Sequence, residues 1–142
     1  MTISDFETQR ERLRVQTHNR CGYCRAHQDY MPWVLEIDHI RPKAKGGRDD
    51  EENLWLACHT CNLYKGSQTH GRDPITGRRV KLFNPRQQKW HQHFAWSVDG
   101  SHIVGRTVCG RATVIALNLN NLISVTVRRN WVKAGWHPPK DR

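Results

Sequence analysis

Two cysteine pairs, Cys21-Gly-Tyr-Cys24 and Cys58-His-Thr-Cys61, bracket the run Glu36-Ile-Asp-His-Ile-Arg-Pro42, and Asn62 follows the second pair directly. Paired Cys-x-x-Cys knuckles can supply four thiolates to one tetrahedral Zn²⁺. The plainer reading, four buried apolar thiols, gives no reason for this pairing. A zinc held this way would keep Asn62 at a fixed distance from Asp38 and His39. Asp38 and Asn62 then offer hard oxygen ligands to a Mg²⁺ or Mn²⁺ that keeps open positions for water and a phosphate oxygen. The imidazole of His39, neutral and basic near pH 7, is the candidate general base. Activated water, charge stabilisation and a polarised leaving oxygen together make phosphodiester hydrolysis the chemistry this set could perform.

Other residues compete for these roles. Four cysteines already close a structural zinc site, so His59 reads as an exposed residue rather than a ligand in place of one thiolate. His18, His27, His91, His93, His102 and His137 have no ligand spacing, and Cys109 reads as a packing residue.

The elements must bring the set together. Residues 25–57 separate the knuckles, more than the roughly 15 to 20 residues of an ordinary paired-knuckle spacer, so structure is built inside the loop. Trp33 to Ile40 reads as a strand bounded by Pro32 and Pro42, and Asn53 to Ala57 as a second strand that pairs back. Between them lies a polar, glycine-bearing turn region, Lys43 to Asp50. Cys58 to Lys65 is about two turns of helix, ended at Gly66. Adjacent strand residues point to opposite faces, so Asp38 and His39 cannot both face that helix unless the strand bends.

In the order Asp38-His39-Ile40-Arg41-Pro42, Gly46-Gly47, Asn53-Leu54, Cys58-x-x-Cys61-Asn62-x-x-Lys65-Gly66, residues 21–66 resemble the HNH nucleases with their ββα-metal fold. The resemblance implies an endonuclease acting on double-stranded or branched DNA, with His39 as base, Asp38 and Asn62 holding the catalytic cation, and Asn53 orienting His39 by tethering its loop. Asn53 is equally readable as a turn-forming asparagine. Asn62 stands where the family often has histidine, a variant similar to that of phage junction-resolving and RNA-guided nucleases, and it bears on metal preference. Arg41, Lys43 and Lys65 are candidate phosphate contacts; Lys65 lies three residues after Asn62, on the same helical face.

Composition agrees with an intracellular nucleic-acid enzyme. The chain has 142 residues, 37% of them hydrophobic, with six tryptophans, so a modest core needs help from zinc. Net charge is +10, from 23 Lys and Arg against 13 Asp and Glu, which suits a polyanionic partner. No leader or membrane-length apolar run is expected, and thiols held as metal ligands fit a reducing cytoplasm, bacterial or phage-encoded.

Outside the motif, residues 4–17 read as an amphipathic helix with the capping pattern Ser4-x-x-Glu7 and a buried side of Phe6, Leu13 and Val15. Residues 67–79 read as a connector. Asp99-Gly100 signals a hairpin between Phe94–Val98 and His102–Arg106, Thr107 caps a helix through Leu117, and Ile123, Val127 and Trp131 mark a last helix. That tail, closing on Trp136-His-Pro-Pro, resembles the extension of small standalone bacterial HNH proteins. Arg128, Arg129 and Lys133 form a candidate basic face on DNA, or an ordinary solvated one.

The expectation is an α+β protein. A zinc-stapled nuclease core with its N-terminal helix spans 1–72, and a hairpin-and-helix extension spans 73–142 and packs on the core. The alternatives are a non-catalytic zinc module that binds nucleic acid and a zinc-dependent protein-interaction domain. Asp38, His39 and Asn62 separate the readings, because a binding module has no use for them.

Overall fold

A computed structural model describes residues 3–140. Their fold is α+β, with five α-helices and three two-stranded antiparallel sheets among the described residues. The chain forms two compact units, Met1–Thr69 with Asn84–Arg86, and His70–Phe83 with Gln87–Arg142.

The first unit opens with α1 (Ile3–Gln16). Leu13 is fully buried as expected, but Val15 is exposed. Two residues along a helix turn roughly 200°, so the two cannot share a face. The side chains of Ser4 and Phe6 lie outside the described residues.

Strand β1 (Glu36–His39) pairs antiparallel with β2 (Leu54–Ala57), with Glu36 opposite Ala57 and His39 opposite Leu54. β1 is shorter than predicted because the backbone before it bonds elsewhere. Gln28 donates from Nε2 to the Trp33 carbonyl at 2.7 Å and accepts from the Leu35 amide at 2.7 Å, leaving Trp33 and Val34 exposed. Leu54 and Leu56 alternate inward in β2. The guanidinium of Arg86 lies over the Trp55 ring, 5.0 Å from its centroid, and donates twice to the Leu54 carbonyl at 3.1 and 3.0 Å.

Helix α2 (His59–Lys65) begins where the sequence places it. Cys58 caps it, its Sγ accepting from the Cys61 amide, and Gly66 ends it at positive φ, a conformation glycine adopts without steric cost.

In the second unit the predicted connector is instead a hairpin, β3 (His70–Arg72) with β4 (Arg79–Lys81). Asp73 builds its turn by accepting from the Ile75 and Thr76 amides and the Thr76 hydroxyl. An arginine-rich composition hid strands of only three residues. α3 (Trp90–His93) leads into β5 (Phe94–Trp96), and β6 (Ile103–Gly105) returns beside it, as Asp99-Gly100 implied. Thr107 caps α4 (Val108–Ala116), accepting from the Gly110 amide at 3.0 Å.

The last helix, α5 (Leu122–Lys133), forms where the spacing of Ile123, Val127 and Trp131 marks it, with Val127 and Trp131 half-buried. Val125 and Arg128 are buried, whereas Ile123 is exposed. Arg128 is therefore not on a solvated basic face. Its guanidinium donates to the carbonyls of Ser101 at 3.0 Å and Leu119 at 2.6 Å, and so satisfies backbone acceptors of two buried residues. Arg129, about 100° further round the helix, is exposed.

Candidate active site and metal centre

The two knuckles meet. Sγ atoms of Cys21, Cys24, Cys58 and Cys61 all lie within 4.8 Å of one another, and those of Cys24 and Cys58 are 3.7 Å apart. Tetrahedral Zn–S bonds of about 2.3 Å put sulfurs roughly 3.8 Å apart, so this spacing fits a four-thiolate zinc. Crowding pushes the Cys58 and Cys61 thiols up, through hydrogen bonding to Cys21 first, then Cys24, and through burial. A dication would supply the charge that lets four such sulfurs ionise together. His59 is exposed and outside the cluster.

Strand alternation then sets the oxygens. Glu36 and Asp38 both face α2. Asp38 is 2% exposed; its Oδ1 accepts from Lys65 Nζ at 3.0 Å and its Oδ2 from the Tyr23 hydroxyl at 2.6 Å. Tyr23 sits inside the first knuckle. Burial, then the Asp38 charge, hold its pKa well above 10, so it remains a donor. Lys65 Nζ also reaches the His39 carbonyl at 2.8 Å, which pins the end of β1. Lys65 therefore points inward, at 2% exposure, and not to solvent as the phosphate-contact reading required. Helix periodicity gave its face correctly; the carboxylate it meets there decided its direction.

Asn62 faces the same strand one step earlier. Its Nδ2 donates to Glu36 Oε1 at 2.8 Å, and His59 Nδ1 lies 2.8 Å from Glu36 Oε2. Burial raises the Glu36 carboxyl, but the hydrogen bonds from Asn62 and His59 outweigh it and leave the pKa below the ordinary value. Asp38 and Asn62 thus each have a separate partner, Lys65 and Glu36, on one side of β1.

His39 ends β1, and its ring meets the loop that follows. Nε2 lies 2.8 Å from Asp49 Oδ1, and Lys43 Nζ is 3.4 Å from Asp49 Oδ2. The His39 bond, ahead of the Lys43 contribution, lowers the Asp49 pKa. An ionised carboxylate can only accept, so Nε2 carries the hydrogen, and a neutral imidazole in that tautomer has its lone pair at Nδ1.

Asn53 clips this loop shut. Its Oδ1 accepts from the Arg41 amide at 2.8 Å, and its Nδ2 donates to the carbonyls of Arg41 at 3.0 Å and Arg48 at 2.9 Å. The loop is so tight that a Cβ on Gly47 would lie 1.7 Å from the Arg41 carbonyl oxygen, a position only glycine can fill. Arg41 and Lys43 are exposed on it.

Residues 21–68 match the family model for HNH endonuclease. The HNH segment spans the cysteine cluster, both strands, the clipped loop and α2, and the match carries nuclease activity at the level of the family. Comparison with curated proteins and with solved structures gave no significant match. Among the described residues, no helix is long and apolar enough to cross a membrane.

From sequence, Asp49 reads only as one of the reserve metal-ligand candidates, with His59 and the acids through Glu52, and not as the partner of His39; Tyr23 and Glu36 are passed over, although Glu36 stands two residues before Asp38 and so on the same strand face.

Proposed function

We propose that this protein is an endonuclease that hydrolyses DNA phosphodiesters with a divalent cation, its β1–β2–α2 segment serving as a ββα-metal core stapled by zinc. The observation that carries the reading is the bond between His39 Nε2 and Asp49, which orients the imidazole of the residue that follows Asp38, in a segment matching a nuclease family.

In this reading Nδ1 of His39 accepts the proton of the attacking water while Asp49 holds Nε2–H. Asn53 keeps the loop closed, and Lys65 fixes the His39 carbonyl, so the ring cannot swing away. Arg41 and Lys43 bind phosphate oxygens. Asp38 and Asn62 would hold Mg²⁺ or Mn²⁺, with Glu36 as an adjacent oxygen donor; each Asp38 oxygen accepts one of these hydrogen bonds and keeps further acceptor capacity. When bound, the cation supplies charge stabilisation for the phosphate and its leaving oxygen.

One observation favours the alternative of a non-catalytic zinc module. Lys65 and Tyr23 already satisfy Asp38, as they would in a purely structural role. Cleavage of plasmid DNA with and without Mg²⁺, by wild type and His39→Ala, decides between them. Mg²⁺-dependent cleavage lost in the variant supports the nuclease; absence of cleavage under both conditions supports the binding module.

A further inference from the structure

We propose that the outward face of the β3–β4 ribbon, in the second unit, grips the phosphate backbone of duplex DNA through Arg72, Arg79 and Lys81, with Arg78 at its turn. The inference rests on the reading of DNA as the partner and adds a surface outside the HNH segment.

The ribbon has one face committed to packing. Gly71 and Val80 are opposite one another, and a Cβ on Gly71 would lie 3.1 Å from the Ala112 carbonyl oxygen and 3.3 Å from the Ala116 Cβ of α4. Alternation sends His70, Arg72, Arg79 and Lys81 to the other face. Register sets Arg72 opposite Arg79 and His70 opposite Lys81. Arg72, Arg78, Arg79 and Lys81 are all exposed.

Such a pairing opposes stability. Like charges directly across a strand pair repel, and an acid opposite either arginine would have served the fold better. The ribbon's own sequence offers no relief. Its single acid, Asp73, is fully buried, and Arg111 takes its charge through two bonds of 2.8 and 3.0 Å. In the first unit Arg12 lies beside Glu51 at 2.6 Å, Arg14 beside Glu11 at 2.6 Å and Arg48 beside Asp50 at 3.3 Å, while Arg41 donates to the Lys45 carbonyl at 2.7 Å. A polyanion laid along the ribbon would relieve the repulsion and neutralise both strands at once.

Duplex DNA fits better than an anionic membrane. The one exposed large apolar residue at this hairpin is Ile75, in the turn, which is little area with which to enter a bilayer. A two-stranded ribbon is also narrow enough to follow a groove and reach phosphates on its walls.

The test is equilibrium binding of the full chain to short labelled duplexes across a salt series, without added divalent cation. The double variant Arg79→Gln/Lys81→Gln should bind at least tenfold more weakly, and its slope of log affinity against log salt should be shallower by about 1.8, or 0.9 for each lost phosphate contact. Arg12→Gln, whose charge Glu51 already takes, should leave the slope unchanged. The ribbon variant should melt at or above the wild-type temperature, since a repulsion has been removed. An unchanged slope, a lower melting temperature, or ribbon-dependent binding to phosphatidylserine vesicles in place of duplex would overturn the proposal. Ribbon-dependent binding without Mg²⁺-dependent cleavage would sink the nuclease reading alone, whereas cleavage with ribbon-independent binding would sink this one alone.

Discussion

His39 Nε2 and Asp49 Oδ1 are 2.8 Å apart, and Asp49 also takes the ammonium of Lys43 on its other oxygen. The acid that directs the candidate base is therefore held on a loop that Asn53 closes, ten residues along the chain from the histidine.

Replacement of Asp49 by Asn should expose that dependence. The amide can offer a hydrogen to Nε2, which favours the tautomer with its proton on Nδ1, where the lone pair is needed. Cleavage should fall by on the order of 10²-fold with DNA affinity nearly unchanged. Single-turnover rates and binding measured on one preparation check this, and a rate within about threefold of wild type would remove Asp49 from the mechanism.

Loss of the Lys65 ammonium should be felt in the fold. Lys65→Met would leave the Asp38 carboxylate buried with Tyr23 as its remaining side-chain partner, and breaking a buried pair from one side typically costs about 3 to 5 kcal/mol. Urea denaturation would read the change. The double variant Lys65→Met/Asp38→Asn should recover much of the loss; if it does not, the ion pair is not the cause.

Metal content and folding should fail together in Cys61→Ser, because zinc-site free energy is folding free energy in small modules. Elemental analysis and circular dichroism of wild type and variant supply the comparison. A wild-type protein without tightly held zinc would contradict the cysteine assignment.

Cation preference should follow position 62. Wild type, with oxygen donors, should work best with Mg²⁺ or Mn²⁺, and Asn62→His should shift activity toward Ni²⁺, Co²⁺ or Zn²⁺. Glu36→Gln tests whether the neighbouring carboxylate shares the load. Initial rates over a metal series decide: equal profiles in all three proteins would exclude both residues as ligands.

Acid should loosen the second unit at Asp73. Arg111 first, then the Thr76 hydroxyl and the turn amides, hold its carboxyl below the usual range. A depressed folded-state pKa contributes stability that is fully present above the unfolded value, about 3.9, and is lost as pH falls below it toward the folded value. Asp73→Asn should be less stable at pH 7, with the difference shrinking in acid. Melting curves from pH 7 to pH 3 would show it, and a constant difference would argue against the ion pair.

The sequence carried the knuckles, the α2 start and the Asp99-Gly100 hairpin because each rests on residues within one turn of one another. It did not carry what a side chain meets across the fold. Lys65 and Asn62 share a helical face, yet Lys65 finds Asp38 while Asn62 finds Glu36, an outcome set by how β1 lies against α2. Arg128 and Arg129 read alike as a basic pair, but about 100° of helix rotation buries one and exposes the other. Val15 is the same lesson for an apolar residue, exposed where a short stripe put it inside.

The return of Asn84–Arg86 to the first unit governs how that unit can be made. Its last structural contribution, the Arg86 guanidinium on Leu54 and Trp55, is encoded after the whole β3–β4 hairpin. On the ribosome, a nascent chain that has emerged only through Thr69 holds every cysteine of the cluster but not the cover on β2. A gene fragment cut at that boundary, or at the end of the family match, would leave the indole face and the Leu54 carbonyl to water, so a transplantable copy of the first unit has to run at least through residue 86.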